Sequence, residues 1–86
     1  MTAKKMFEKL GYKFSYNQDK TVVQYEKKCR QWREAGQINI NFDLEDKTID
    51  TIFRGDISNN LPTIFIPEEI EAMNKQCKEL EWLNDK

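Results

Sequence analysis

Eighty-six residues with a formal net charge of −1 and no histidine suffice for one small domain, residues 1–86, but leave little room for a deep pocket. The balance of 38% hydrophobic and 34% charged residues is that of a soluble globular protein. No apolar stretch approaches the roughly 18–20 residues needed to span a bilayer. Met1–Lys5 leads into a charged amphipathic segment rather than the apolar core of a signal peptide, so a cytosolic location is expected.

In chain order, Ala3, Met6, Phe7 and Leu10 fall at i, i+3, i+4 and i+7 and predict a short helix over 3–10. Thr2 stands at its N-cap and Gly11 at its left-handed C-terminal position. Tyr12, Phe14 and Tyr16 alternate with polar residues as a first strand. Asn17-Gln18-Asp19-Lys20 is turn chemistry, and Thr21–Glu26 is the β-branched and aromatic return strand, with Val23 and Tyr25 on its inner side. Residues 27–36 read either as one or two helical turns closing at Gly36 or as a continuation of that strand into a Glu34-Ala35-Gly36 loop. The period of two running through Tyr25, Lys27 and Cys29 favours the extended reading.

Ile38-Asn39-Ile40-Asn41-Phe42-Asp43-Leu44-Glu45 alternates apolar and polar without a break, the pattern of a strand with one dry face. This third strand is predicted over 37–45, with a tight turn at Asp46-Lys47 and a fourth strand over 48–54. Adjacent Ile52 and Phe53 call for a bulge or a strand end there. Gly55–Pro62 reads as a loop, and Thr63–Ile66 is a short apolar run. Pro67, Glu68 and Glu69 then open a last helix, with Ile70, Met73, Cys77 and Leu80 as its apolar seam. The economical solution is an α+β two-layer sandwich: a four-stranded antiparallel sheet of two hairpins, covered on one face by the N-terminal and C-terminal helices.

Catalytic equipment is sparse. The commonest general base is missing with histidine, and Gly11, Gly36 and Gly55 all fall at predicted element ends rather than in a phosphate-cradling loop. Asp43, Glu45, Asp46 and Asp50 cluster at the second hairpin but match no calcium-loop spacing, and read as its wet face and turn. Cys29 and Cys77 form neither a disulfide framework nor a zinc motif; two reduced thiols are expected, with a bridge only in an exported chain. Lys27, Lys28 and Arg30 beside Cys29 would favour a thiolate, but no partner base stands nearby. No enzyme activity, cofactor or metal is expected.

Charge is unevenly spread. Residues 1–33 carry nine basic and three acidic side chains, and residues 34–86 carry five basic and twelve acidic ones, so a dipolar surface is expected. Tyr25, Lys27, Lys28, Arg30, Trp32 and Arg33 interleave aromatic and basic groups. That mix suits single-stranded nucleic acid, with cations on phosphates and rings under bases, unless the aromatics pack inward on a solvated hairpin. The acidic last helix, with Glu68, Glu69, Glu71, Glu79 and Glu81, pairs within the molecule, with a second copy, or with a basic partner protein.

Several stretches together resemble a known group: Lys5-Met6-Phe7-Glu8-Lys9-Leu10-Gly11-Tyr12, Tyr25-Glu26-Lys27, Ile40 to Thr48, Pro67 to Gln76, and Glu79-Leu80-Glu81-Trp82. The chain resembles the small, mostly uncharacterised proteins of phages and prophages of Gram-positive bacteria. In that group the final helix often closes with Leu-Gly-Trp; Glu81 stands in place of the glycine here, leaving the helix free to run on. The resemblance implies a bacterial cytosol and an accessory role without an active site. The expected function is therefore protein–protein binding, to an unknown partner or to a second copy, as monomer or homodimer. A nucleic-acid-binding module using the 25–33 segment is the alternative, and no membrane association is expected.

Overall fold

The computed structural model describes residues 1–83. The elements are α1 (Ala3–Lys9), β1 (Lys13–Tyr16), β2 (Val22–Gln31), β3 (Glu34–Asp43), β4 (Thr48–Gly55) and α2 (Pro67–Glu79). The strands lie in the order β1-β2-β3-β4, every neighbouring pair antiparallel. Both helices cover one face, giving the expected α+β sandwich, whose shortest dimension is 18 Å. Among the described residues, no helix is long and apolar enough to cross a membrane.

The alternation along β3 sets the layers. Ile38, Ile40 and Phe42 are buried against the helices, together with Val23 and Tyr25 of β2 and Phe53 of β4. Phe7 of α1 stacks on Tyr25 at 3.9 Å between ring centroids and meets Phe42 edge-on at 6.4 Å. The opposite face is bare of helices and polar. Across it the Gln24 amide donates to Asn41 Oδ1 (3.1 Å), and the Asn41 amide donates to Asp50 Oδ1 (2.7 Å). Ile52 points to this open face and Phe53 to the core, in a register that runs unbroken from Gly36↔Gly55 to Asp43↔Thr48. The adjacent pair therefore needs no bulge: Ile52 is half-buried on the polar side.

Turns depart from expectation where local chemistry was misleading. β2 and β3 are continuous to a two-residue turn at Trp32-Arg33, so Glu34 and Ala35 belong to β3. Gly36 lies inside that strand, not at an element end. A side chain at Gly36 would sit 2.3 Å from the Arg54 carbonyl oxygen and 2.6 Å from Phe53 Cζ, which is why a glycine stands mid-strand. β3 ends at Asp43, whose carboxylate accepts the Glu45 and Asp46 N–H groups (3.0 and 2.9 Å). The loop after Gly55 turns back as a hairpin, and Leu61 exchanges both backbone hydrogen bonds with Phe53 (3.1 and 2.9 Å).

Both helices end in the same way. In α1 the Gly11 N–H reaches the Glu8 carbonyl (3.0 Å) and the Tyr12 N–H reaches that of Phe7 (3.0 Å), with Gly11 at φ +96°. In α2 the Glu81 N–H bonds the Lys78 carbonyl (3.0 Å) and the Trp82 N–H bonds that of Cys77 (2.9 Å). This is the Schellman pattern, and it stops the helix that Glu81 was expected to let run on. Glu81 adopts φ 62°, a conformation that costs a non-glycine residue roughly 1–2 kcal/mol. Glu81→Gly is accordingly expected to raise stability by about 1 kcal/mol, read as a higher urea midpoint at unchanged m-value. A lower midpoint would show that the Glu81 side chain contributes more than its backbone loses.

Inward of α2 the seam is not purely apolar. Glu69, Ala72, Gln76 and Cys77 are buried, with Met73 and Leu80 partly so, whereas Ile70 is 51% exposed. The Glu69 carboxylate accepts from Ile66 N–H (2.9 Å), from Lys27 Nζ (3.2 Å) and from the Tyr12 hydroxyl. Gln76 Oε1 accepts from the Tyr25 hydroxyl (2.6 Å). Burial pushes both phenols well above their ordinary range, aided at Tyr12 by the Glu69 carboxylate and at Tyr25 by Glu79. Both hydroxyls therefore stay protonated as donors.

Candidate binding surfaces

A period of two cannot keep consecutive residues of 25–33 together, and the six candidates separate. Tyr25 is 1% exposed in the core and is unavailable to stack on a base. Lys27 also lies on the helix side, tied to Glu69, with its ammonium 4.6 Å from the Tyr12 ring centroid. Lys28 and Arg30 emerge on the open face, and Trp32 and Arg33 form the turn. The basic and aromatic side chains adjacent in the sequence over 25–33 are thus sent by the pleat to opposite sides of the sheet. Lys13, Gln37 and Arg54, which no local pattern in the sequence marks, are brought beside Lys28 by the register, and only strand pairing reveals them.

Lys28, Gln37 and Arg54 form one row across β2, β3 and β4, and Arg30 and Ala35 begin the next. They border a shallow depression of about 560 Å³ together with Asp56. A second depression, about 280 Å³, adjoins it and is bordered by Gly11, Lys13, Glu26, Lys27, Lys28 and Gln37. Among the described residues the one ion pair is Lys27–Glu69.

At the end of the molecule that carries the β2–β3 turn, the surface is apolar instead. Trp32 and Arg33 have φ 55° and 64°, the left-handed pair of a type I′ turn, where Asn-Gly is the relaxed choice. The Trp32 indole N–H donates to the Pro62 carbonyl (2.7 Å). Gln31 works like a strand edge: its side chain donates to Ile64 O (2.7 Å) and accepts from Ile64 N–H (3.0 Å). These bonds hold residues 62–66 extended over the turn. Phe65 packs on the core while Ile64 and Ile66, on the alternate side, are exposed. Ile57, in the loop held by Glu34, is 85% exposed, Ile70, one turn beyond Ile66 in α2, is 51% exposed, and Trp32 itself is 49% exposed.

Glu34 locks the neighbouring loop. Its buried carboxylate folds over Gly55 and accepts from Ile57 N–H (3.2 Å) and Ser58 N–H (2.9 Å); a side chain on Gly55 would overlap it. The Ser58 backbone bond, with that of Ile57, outweighs burial and holds this carboxyl below its ordinary range. A lowered folded-state value means that the stabilisation is present above the unfolded value, about 4.3 for glutamate, and is lost as pH falls through the folded one. The Ile57 and Ser58 amide resonances are therefore expected to keep their positions from neutral pH down to about 4.3, and to shift and broaden below it. Glu34→Gln should abolish that acid transition, and an unchanged titration in the variant would exclude the latch.

Asp43 and Asp50 are engaged in the turn and open-face bonds described above. Among the described residues no cluster of three or more Cys, Asp or Glu is placed to hold a metal ion. Cys29 and Cys77 are free thiols. Burial pushes the Cys29 thiol up despite Lys27, and burial raises Cys77 as well, so the basic neighbours of Cys29 do not make it a thiolate. No protein-family model, curated protein or solved structure matches the chain.

Proposed function

We propose that this chain is a non-catalytic binding protein that acts by protein–protein contact through the apolar end built from Trp32, Ile57, Ile64, Ile66 and Ile70. The observation that carries this reading is the concentration of large exposed apolar side chains on one pre-ordered surface. Scattered single exposures are ordinary, but contiguous ones mark interaction sites. The hydrogen bonds from Gln31 and Trp32 mean that little ordering entropy remains to be lost on docking. Exposed Glu68 and Glu71 border the patch, so the partner it suits presents apolar side chains flanked by basic ones. The resemblance to phage and prophage proteins supports an accessory role of this kind in a bacterial cytosol.

The test is capture from a Gram-positive bacterial lysate on immobilised protein, with and without nuclease, using wild type and the double variant Ile66→Ser/Ile70→Ser. Serine at 66 supplies a capping oxygen at the start of α2, and both side chains are half-exposed, so the fold should survive. The proposal expects a protein retained by wild type after nuclease treatment and lost with the variant. Sedimentation at several concentrations identifies the case in which that protein is a second copy. Retention that is unaffected by the substitutions, or that disappears with nuclease, overturns the reading.

A further inference from the structure

The uncovered sheet face offers a separate surface, independent of the apolar end. We infer that it is a track for the sugar–phosphate backbone of nucleic acid, held by Lys13, Lys28, Arg30 and Arg54 without base stacking.

The register assembles these cations from three strands. Lys28 and Arg54 stand at the two ends of a row whose centre is Gln37, and Arg30 begins the next row beside Ala35. The small Ala35 side chain leaves the floor low, so the cations rim a depression rather than crowd it. Strands lie about 4.8 Å apart and like-facing residues about 7 Å apart along a strand, so Lys13, Arg30 and Arg54 each sit within one or two such steps of Lys28. The two depressions share Lys28 and Gln37 and run on from one another across the strands. That shape suits an elongated ligand, not a compact one.

Electrostatics agree. Lys13, Lys28, Arg30 and Arg54 are exposed and take no part in the ion pair described above. Two carboxylates border the track: Glu26, which accepts from the Gln37 amide (3.1 Å), and Asp56. The local balance remains positive by two in a molecule whose total charge is −1. Arginine forks match phosphate oxygens in bidentate fashion.

An acidic peptide is the competing ligand, and the face serves it poorly. Peptides that add to sheets do so at an edge, where main-chain groups are free; on this face those groups are consumed in the ladder. A phosphate backbone needs only charges and amide donors. The face carries no aromatic side chain, since Phe14, Tyr25, Phe42 and Phe53 all lie on the helix side. Binding is therefore to backbone and indifferent to base sequence.

The experiment is fluorescence anisotropy of labelled mixed-sequence DNA oligonucleotides, single-stranded and duplex, over a salt series, with poly-glutamate as a competing polyanion. Wild type is expected to bind several unrelated sequences equally, with log affinity falling by roughly 0.7–0.9 per phosphate contact for each log unit of salt. Lys28→Gln and Arg54→Gln should each weaken binding to all sequences and lower that slope by about one contact. Trp32→Ala should leave affinity unchanged. Melting curves check that the variants fold. Absence of binding at low salt, indifference to Arg54→Gln, dependence on Trp32, or poly-glutamate competing as well as DNA would each overturn the inference.

Discussion

Replacing Phe42 with alanine is expected to cost roughly 3–5 kcal/mol. The stability available to a chain of this length is on the order of 4–13 kcal/mol, at about 0.05–0.15 kcal/mol per residue, so this one change removes much of it. Phe42 is fully buried and touches every layer of the core. Its ring lies edge-on to Phe7 of α1 and to Tyr25 of β2 (6.0 Å), and tilted to Trp82 after α2 (6.2 Å). Its strand neighbours are Val23 and Ile49. Truncation opens a cavity walled by elements that cannot all collapse into it, since two are helices and two are strands locked in register. Asn41→Ala, one residue away on the open face, should cost less than about 1 kcal/mol. Urea denaturation of both variants measures the contrast. Equal losses would mean that the two faces of β3 are not distinguished as described.

Lys27→Met is expected to destabilise by about 3 kcal/mol, near the low end for breaking a buried ion pair. Methionine keeps the apolar stem that runs past Gly11 and the Tyr12 ring, so the loss isolates the charge. What remains is the Glu69 carboxylate, its side chain 4% exposed, facing the core with only Tyr12 and the Ile66 N–H as donors. Lys27 is itself partly exposed, which limits the penalty. Glu69→Gln in the Lys27→Met background should recover most of the loss, because an amide tolerates burial without a counter-charge. A double-mutant cycle reads the coupling directly. Strictly additive effects would show that the pair contributes nothing beyond packing.

The two substitutions mark how far the sequence could be read. Phe42 declares itself: its neighbours alternate so regularly that its burial follows from the pleat. Glu69 does not. A glutamate in the first turn of a helix ordinarily faces water and the helix dipole, and Ile70 looks the better core residue. Tyr12 and Lys27, from distant parts of the chain, meet over α2 and turn that choice around. The binding surfaces follow the same division. The basic character of residues 27–33 is plain in the sequence, but Lys28 and Lys27 point in opposite directions, and Arg54 joins the former only through β3.

The one-sided alternation of the strands, the stripe of the first helix and the Thr2 and Pro67 starts are local properties. Period and capping chemistry act over a few residues, and the chain alone determined two helices on one face of an antiparallel sheet. The Trp32-Arg33 turn, the glycine inside β3, and the buried Glu69 and Gln76 were decided by tertiary contact. Each is locally unfavourable or locally ambiguous, and each is stabilised by hydrogen bonds or close packing from residues far along the chain. Those long-range partners exist only once the sheet has paired, and for that reason no window of the sequence contains them.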